Sequence, residues 1–255
     1  MINGCGFAAV ITAAGSSSRM GGLKKEYLPV GETWEGEELT VLGASVCAFA
    51  LAGGFSVLAI SVPNNPETGE YAARAAIPSL FFNNQKSFPK IIFAAGGASR
   101  RLSVFHALYA LKVYAPEYVL IHDGARPWID SELINRVAAS TIQFGAALPV
   151  ASLLETPKEI DGDGFVKTHL KRSSIVTAQT PQGFLFKEIL RSHEEAEKAN
   201  AQLSLDAQIE YTDDAEIWGA FCGPVKTVEG LKSNVKITFP QDAVFKQRIE
   251  AHKNG

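Results

Sequence analysis

This chain has few cysteines, a small net charge and no long hydrophobic run. Its 255 residues include three cysteines, Cys5, Cys47 and Cys222, too few and too scattered for a disulfide framework or a cysteine-rich metal site. A net charge of −3 gives no global basic field for nucleic acid. There is no run of about 18 apolar residues and no signal-like N-terminus. We therefore expect a cytoplasmic protein that binds neither nucleic acid nor membrane.

Apolar runs punctuated by glycine and proline alternate with segments of helical spacing. This alternation predicts an α/β, Rossmann-like fold, with a mostly parallel twisted sheet and helices on both faces. The predicted strands are residues 7–12, 55–62, 90–95, 118–122, 146–150, 225–228 and 235–238. The predicted helices are residues 41–52, 67–76, 99–114, 130–144, 182–199, 212–220 and 241–252.

Two polar segments interrupt this alternation. Residues 30–40 carry two glycines and predict a surface loop or hairpin. Residues 153–180 have strand-like flanks around the turn Asp-Gly-Asp-Gly at 161–164, which predicts a β-hairpin arm that projects from the sheet. We expect a single domain over residues 1–255, with the arm at residues 153–180 as its one projection.

The first predicted strand leads into a loop of small side chains, residues 13–18, which Arg19, Lys24 and Lys25 follow. Small side chains let backbone N–H groups approach a polyphosphate, and nearby cations offset charge on a phosphoryl group during its transfer. The loop is not a P-loop, because Gly15 is not followed by Gly-Lys-Ser/Thr, and it is not a dinucleotide G-x-G-x-x-G. It predicts a nucleoside triphosphate site; the alternative is an ordinary strand-to-helix turn.

Ligands of open α/β sheets bind beyond the carboxyl ends of the strands. The loop at residues 96–101 follows such a strand and combines paired glycines with Arg100, and Ser103 lies one turn into the next helix. These residues predict a site for a base or a phosphate. The alternative is a glycine turn with surface arginines.

A more specific motif, HDGARP, occupies residues 122–127. Asp123 at the end of a buried strand is placed to bind Mg²⁺ or to accept a hydrogen bond from a ribose hydroxyl. The alternative is a structural ion pair with Arg126. His122 is expected to be a structural residue, because no second histidine lies at metal-ligand spacing.

Four other features are weaker when taken alone. Thr156 and Arg172 lie in the presumed arm, where charged residues are usually solvated. Residues 212–214 resemble a helix N-cap, and Lys236 alternates with apolar neighbours as a solvent-facing strand residue does.

The order of the motifs is far more specific than any one of them. TAAGSSSRM, KKEYLPV, GGASRRLSV, HDGARP, ETPK, LKRSSIVTAQTPQGF, TDDA and VEG…NVKIT closely resemble successive motifs of the 2-C-methyl-D-erythritol 4-phosphate cytidylyltransferases, from residue 8 to about residue 244. The resemblance implies transfer of CMP from CTP to the polyol phosphate, with release of pyrophosphate, in non-mevalonate isoprenoid synthesis. It also implies a Mg²⁺-dependent homodimer whose arms embrace the partner subunit.

The resemblance also implies roles for individual residues. Arg19 and Lys25 would contact the triphosphate and stabilise the transition state, and Arg100 would support the nucleotide loop. Asp123 would lie near the metal and both substrates, with Arg126 beside it. The residues that would surround cytosine and ribose are Ala13, Ala14, Gly15, Gly97 and Ser103. The residues that would hold the methylerythritol phosphate are Thr156 and Arg172, both from the partner's arm, and Lys236.

The chain departs from the family pattern at several positions. Ser17 stands near a position where a second glycine is common, Lys24 replaces a proline and Glu26 replaces a glutamine. Gly124 stands where alanine is usual, and the loop at 30–40 is longer than typical. Lys24 therefore competes with Lys25 for the catalytic role. Two other functions stay open: cytidylyl transfer to another polyol phosphate, such as ribitol 5-phosphate, and a non-catalytic nucleotide-binding domain.

Overall fold

The computed structural model describes residues 6–17, 24–33, 36–84, 86–204, 207–239, 242 and 247–248. The strands are β1 (Phe7–Thr12), β2 (Pro29–Glu32), β3 (Glu38–Thr40), β4 (Phe55–Val62), β5 (Lys90–Ala95), β6 (Tyr118–Asp123), β7 (Ala146–Ser152), β8 (Lys158–Ile160), β9 (Val166–His169), β10 (Val176–Ala178), β11 (Gln182–Leu185), β12 (Lys226–Glu229) and β13 (Gln247–Arg248). The α-helices are α1 (Val41–Ala52), α2 (Pro66–Ala75), α3 (Leu80–Asn83), α4 (Arg100–Leu111), α5 (Ser131–Phe144), α6 (Phe186–Ala201) and α7 (Asp214–Phe221).

The main sheet runs in the order β10-β7-β11-β6-β1-β4-β5, and β12 also pairs with β7. Strand β1 is central and is parallel to both neighbours, so that Ala9 is paired with Leu58 of β4 and with Leu120 of β6. It is apolar and buried from Phe7 to Ile11, as is typical of a strand whose two faces are both covered. The predicted α/β sheet with mostly parallel central strands is confirmed.

Hydrophobic layers cover the two faces of the sheet. One layer includes Leu42 and Phe49 of α1 and Val137 of α5. The other includes Leu108 of α4 and Ile189 of α6. Each such side chain contributes roughly 1.5–3 kcal/mol by leaving water, so the two layers fix the sheet that carries the loops.

Side-chain caps set where several helices begin. The side chains of Thr40, Ser99 and Asp130 accept hydrogen bonds from the N–H groups of residues 43, 102 and 133, at the starts of α1, α4 and α5. Such a cap is typically worth about 1 kcal/mol. The cap at Ser99 fixes the point at which the glycine loop after β5 becomes a helix.

Strand β11 corrects the helix predicted for residues 182–199. Residues Gln182–Leu185 form a strand antiparallel to β6 and β7, and α6 begins only at Phe186. Phe184 is fully buried in the core beneath α6. The backbone of residues 182–185 therefore makes its hydrogen bonds to neighbouring strands, whereas the helical pattern had predicted the first turn of a helix.

Two further predictions near the C-terminus are wrong where the structure describes them. Residues 235–238 are not a strand, although the N–H of Ile237 donates to the carbonyl oxygen of Ala125 at 2.8 Å. Within the helix predicted for residues 241–252, Gln247–Arg248 form β13, parallel to β2. Except for residue 242, the rest of that range lies outside the described residues.

Both polar segments that interrupt the alternation form hairpins. Strands β2 and β3 pair antiparallel, so the hairpin alternative for residues 30–40 holds. Strands β8 and β9 form a separate two-stranded sheet, which confirms the β-hairpin arm. The arm displays Leu154 and Phe165, which are 79% and 72% exposed. Among the described helices, none combines the length and apolar character needed to cross a membrane.

Candidate active site

A cleft with a volume of about 480 Å³ opens beyond the carboxyl ends of β1, β5 and β6. Among its lining residues are eight that the sequence singled out: Ala14, Gly15, Lys25, Gly97, Arg100, Ser103, Asp123 and Lys236. Ala13 is fully buried at the end of β1. A smaller cavity of about 170 Å³ shares Arg100, Asp123 and Lys236 with the cleft and adds Arg126 and Thr180.

The two adjacent lysines have different environments. Lys24 Nζ donates to the carbonyl oxygens of Ala13 and Gly15, both at 2.5 Å. Lys25 lines the cleft, and its Nζ donates to the carbonyl oxygen of Ile237 at 2.9 Å. Lys25 is thus the lysine of the pair that faces the cleft, whereas Lys24 lies against the loop backbone.

The glycine loop after β5 fits closely against β1. A Cβ on Gly96 would overlap the methyl group of Ala14 and lie 2.9 Å from the carbonyl oxygen of Val62. Ser103 Oγ accepts from the Gly97 N–H at 3.1 Å and donates to the Ser99 carbonyl oxygen at 2.9 Å. The hydroxyl of Ser103 therefore shapes the loop, which forms one wall of the cleft.

Three cations surround the carboxylate of Asp123. Arg100 Nε donates to Oδ1 at 3.2 Å, and Lys236 Nζ lies 2.8 Å from Oδ2. Arg126 Nε lies 3.7 Å from Oδ2, and Arg126 Nη1 donates to the Asn234 carbonyl oxygen at 2.7 Å. Burial alone would raise the pKa of Asp123, but the charges of Arg100 and Lys236 outweigh it and hold that pKa well below its usual range. Asp123 is therefore ionised within a cationic cluster.

A buried carboxylate behind the cleft holds Arg100 in place. Arg100 Nη1 donates to Asp214 Oδ2 at 2.9 Å, and the Asp214 side chain is fully buried. Burial opposes the charge on Arg100, yet Asp214 and then Asp123 raise the pKa of this guanidinium. On its other side, Asp214 Oδ1 lies 3.3 Å from His193 Nε2. Arg100 thus bridges two carboxylates and presents Asp123 to the cleft.

The neighbouring His122 is held by hydrogen bonds at both ring nitrogens. Its Nδ1 lies 3.0 Å from Thr180 Oγ1, and its Nε2 lies 3.2 Å from the Arg126 carbonyl oxygen. Thr180 Oγ1 in turn accepts from the Asp123 N–H at 3.1 Å. The expectation that His122 is structural is confirmed, and its contacts fix the backbone on both sides of the HDGAR turn.

The segment from residue 234 to residue 238 closes one side of the cleft. The buried amide of Asn234 donates to the Thr180 carbonyl oxygen at 2.8 Å, and Ile237 is anchored to Ala125 as described above. These anchors carry Lys236 to Asp123. Lys236 is therefore an ion-paired residue of the cleft, which corrects its interpretation as a solvent-facing strand residue.

Two of the predicted residues are not brought to this cleft by their own chain. Thr156 and Arg172 are exposed on the arm, where Arg172 Nη1 donates to the Leu154 carbonyl oxygen at 2.7 Å. Neither lines the cleft. Arg19 lies outside the described residues.

Sequence reasoning missed the role of Asp214. It assigned residues 212–214 to a helix N-cap, and Asp213 does cap α7 by accepting from the Glu216 N–H at 2.8 Å. Asp214 is one residue further on and points into the core toward Arg100. The repeated aspartate was the available signal, because one cap requires only one of the two.

The carboxylates of the cleft determine whether it could bind a divalent cation. Among the residues that the structure describes, no group of three or more His, Cys, Asp or Glu side chains could hold a metal ion. Of the two acidic residues that line the cleft, Glu26 is paired with Lys24, which leaves Asp123 at the strand end. Mg²⁺ commonly binds through one or two carboxylates together with substrate phosphates. The donor set therefore fits Mg²⁺ only as a companion of a phosphorylated ligand.

Comparison with known proteins gives one consistent family. The family model described as IspD, 2-C-methyl-D-erythritol 4-phosphate cytidylyltransferase, matches residues 7–250. A protein of that name from Geobacillus thermodenitrificans is 34% identical over 249 residues, which cover 97% of this chain and 98% of the relative. A bifunctional enzyme IspD/IspF from a Bradyrhizobium species is 35% identical over 93% of this chain, which spans only 54% of that longer relative.

Solved structures agree with the sequence comparison. The 4-diphosphocytidyl-2C-methyl-D-erythritol synthase of Anaerococcus prevotii has a TM-score of 0.74 and 28% identity, with 95% of each chain covered. The 2-C-methyl-D-erythritol 4-phosphate cytidylyltransferase of Thermus thermophilus has a TM-score of 0.69 and 28% identity, with 93% of this chain and 95% of the other covered. With the family model and these relatives each covering nearly its whole length, the chain belongs to the IspD family.

Proposed function

We propose that the protein transfers CMP from CTP to 2-C-methyl-D-erythritol 4-phosphate, giving 4-diphosphocytidyl-2-C-methyl-D-erythritol and pyrophosphate. The observation that carries the proposal is the cleft beyond β1, β5 and β6, whose lining combines a small-residue loop with the cations Lys25, Arg100 and Lys236 and the carboxylate of Asp123. The names of the full-length relatives support the same reaction.

The reaction needs little acid–base chemistry. A phosphate oxygen of the acceptor attacks the α-phosphorus of CTP, a new P–O bond forms, and the bond to the β-phosphate breaks to release pyrophosphate. A phosphate monoester is already ionised at neutral pH, so catalysis rests on bringing two anions together and offsetting their charge. Proximity of this kind contributes up to about 7–11 kcal/mol of barrier reduction. A cleft built from lysine, arginine and backbone groups suits this task.

We assign the two substrates to the two connected cavities. The cleft beside Ala14, Gly15 and Gly97 would take the nucleotide, with Lys25 and Arg19 on the triphosphate. The smaller cavity would take the acceptor phosphate between Arg126 and Lys236. Asp123 lies where the two cavities meet, and it fixes the cations that both anions approach.

We propose that Mg²⁺ accompanies CTP and that Asp123 is the carboxylate that holds it. When bound, the ion would neutralise charge on the phosphates and help the pyrophosphate to leave. Asp123 is ionised because Arg100 and Lys236 lower its pKa. Exchange of one of these ion pairs would free an oxygen of Asp123 for the ion.

We propose that the active enzyme is a homodimer in which the arm of one subunit completes the site of the other. The arm is a free-standing hairpin with Leu154 and Phe165 exposed, and such apolar surface favours a protein partner. Thr156 and Arg172 do not line the cleft of their own chain, and in a dimer they would hold the acceptor across the interface.

We also propose a cytoplasmic location. The described cysteines, Cys47 and Cys222, are free thiols, as is common in a reducing compartment. Fractionation of the source cells with an antibody against the chain would test this, and recovery outside the cytoplasm would contradict it.

Turnover of the purified protein tests the reaction. The protein is incubated with CTP, Mg²⁺ and either methylerythritol phosphate or ribitol 5-phosphate, and the product is identified by mass. We expect pyrophosphate release and product with methylerythritol phosphate. Faster turnover of ribitol 5-phosphate would show that we have assigned the wrong acceptor. If neither acceptor gives pyrophosphate, the proposed activity is refuted.

Variants at two positions test the assignments. Lys25→Ala is expected to lower kcat by two or more orders of magnitude, roughly 3 kcal/mol of transition-state stabilisation, and Arg19→Ala is expected to act alike. Lys187→Ala, an exposed lysine of α6, is the matched control and should leave kcat unchanged. A folded Lys25→Ala protein with wild-type kcat would contradict the assignment of Lys25 to transition-state stabilisation.

Mixing two inactive variants tests the shared site. Lys25→Ala and Arg172→Ala chains are unfolded, mixed and refolded together. If Arg172 serves the partner's site, a mixed dimer keeps one intact site. Statistical pairing of symmetric dimers then restores about a quarter of the wild-type activity. No recovery from correctly formed mixed dimers would place Arg172 in its own chain's site.

A further inference from the structure

Lys24 binds the backbone of the loop from residue 13 to residue 17. Lys24 Nζ donates to the carbonyl oxygens of Ala13 and Gly15, both at 2.5 Å, and lies 3.2 Å from Glu26 Oε2. Lys24 is absent from the lining of the cleft. Its ammonium group therefore contacts the loop backbone without entering the cleft, whereas its partner Glu26 lies in the cleft wall.

The pair that Lys24 forms with Glu26 is largely removed from water. The two side chains are 19% and 4% exposed. Removing one member of such a pair leaves the other charge buried without its partner, whereas removing both charges together does not. Comparing the single variants with the double variant therefore shows how much of an effect comes from leaving one buried charge unpaired.

Ser17 connects Glu26 to the loop from the other end. Its backbone is left-handed, with φ of 51°, a conformation that glycine adopts readily and other residues adopt at a cost. Ser17 Oγ donates to Glu26 Oε2 at 3.3 Å and accepts from the Lys25 N–H at 3.3 Å. These contacts hold Ser17 in that conformation and tie the loop to the backbone of the lysine that faces the cleft.

We propose that Lys24 and Glu26 are positioning residues for the nucleotide. They hold the Ala13 and Gly15 carbonyl oxygens away from the phosphates and fix the distance between the loop and Lys25. The inference rests on the proposed function for the identity of the nucleotide. It also explains together three positions, Ser17, Lys24 and Glu26, at which the chain departs from the family pattern.

Single and double variants test the pair. We compare Lys24→Gln, Glu26→Gln and the double variant Lys24→Gln/Glu26→Gln, in steady-state kinetics with each substrate varied in turn. Each single variant is expected to raise the KM for CTP roughly tenfold and to change the KM for the acceptor less than about twofold. The double variant is expected to recover to within about threefold of wild type, because the two amides keep a hydrogen bond and leave no unpaired charge.

The matched control is an exposed pair of the same two residue types. Lys198 and Glu195 on α6 lie 2.8 Å apart and are 67% and 46% exposed. The variant Lys198→Gln/Glu195→Gln and its two single variants should leave both KM values at the wild-type level. A comparable rise in the KM for CTP in these controls would overturn the inference.

Hydrogen exchange of the amides of residues 13–17 gives a readout that does not depend on which nucleotide is used. Exchange in that segment should be faster in each single variant than in the wild type, and should return toward the wild-type rate in the double variant. If the wild type lacks activity, the proposed function fails, and this comparison still tests the pair. If Lys24→Gln fails to fold, Glu26→Gln and the double variant carry the test.

Two further results would overturn the inference. One is wild-type kinetics and wild-type exchange in folded single variants. The other is a lower melting temperature of the single variants while their KM values for both substrates stay at the wild-type level. That result would show that the pair stabilises the fold without positioning the nucleotide.

Discussion

His122 should make the protein lose stability as the pH falls below neutral. Its contacts are satisfied by one arrangement of protons: the Asp123 N–H donates to Thr180 Oγ1, the Thr180 hydroxyl donates to His122 Nδ1, and His122 Nε2–H donates to the Arg126 carbonyl oxygen. That arrangement requires a neutral imidazole. A second ring proton would face the hydroxyl hydrogen and break the chain.

The size of the effect follows from the pKa. Burial, partly offset by the neighbouring Asp123, lowers the pKa of His122 from 6.5 to about 4. The unfolded chain therefore binds one more proton than the folded chain between those values, so stability falls as the pH falls from about 6.5 to about 4. A difference of about 2.5 pKa units, at 1.36 kcal/mol each, amounts to about 3 kcal/mol at pH 4.

Denaturant unfolding at pH 7, 5.5 and 4 measures this loss. The comparison variant is His122→Gln, whose amide can accept from Thr180 and donate to the Arg126 carbonyl oxygen but does not titrate. We expect the wild type to lose about 3 kcal/mol more than the variant between pH 7 and pH 4. Parallel losses in the two proteins would refute the assignment of a neutral, buried His122.

Three other changes have definite expected outcomes. Asp214→Asn removes the buried charged partner of Arg100. It should lower the free energy of unfolding, measured with denaturant, by roughly 3 kcal/mol, and it should lower kcat. An unchanged kcat would contradict a role of Arg100 in catalysis. Lys236→Ala should raise the KM for the acceptor roughly tenfold to a hundredfold, about 1.4–2.7 kcal/mol, while the KM for CTP changes less; equal rises would contradict its place in the acceptor half. Gly96→Ala should destabilise by about 1–3 kcal/mol, because the new methyl group meets Ala14; an unchanged melting temperature would show that the loop yields.

The sequence predicted the central elements closely because their patterns are local. Residues 7–12, 41–52, 55–62 and 90–95 were assigned with the bounds that the structure has. Each is a continuous apolar or periodic run with a turn or cap residue at its ends. The glycine loop and the HDGARP turn follow such strands, so their meeting at one edge of the sheet could also be predicted.

The errors arise where distant contacts decide. Residues 182–185 have no local feature that separates a first helical turn from a strand, and pairing with β6 decides the matter. Lys236 is carried to Asp123 by anchors at residues 234 and 237, which no spacing in the sequence indicates. Asp214 differs from the predicted cap by one residue, and one residue turns a helical side chain by about 100° from solvent to core.

The bond from Lys25 to the carbonyl oxygen of Ile237 joins residues 212 positions apart, and this has a consequence for biosynthesis. By the end of β6, the growing polypeptide already contains β1, β4 and β5, together with the glycine loop and Asp123. The last wall of the cleft, residues 234–238, is synthesised only after β12. A nascent chain that stops before residue 234 would therefore lack Lys236 and the carbonyl group that Lys25 contacts, so the cleft is completed only after the strands of the main sheet have been made.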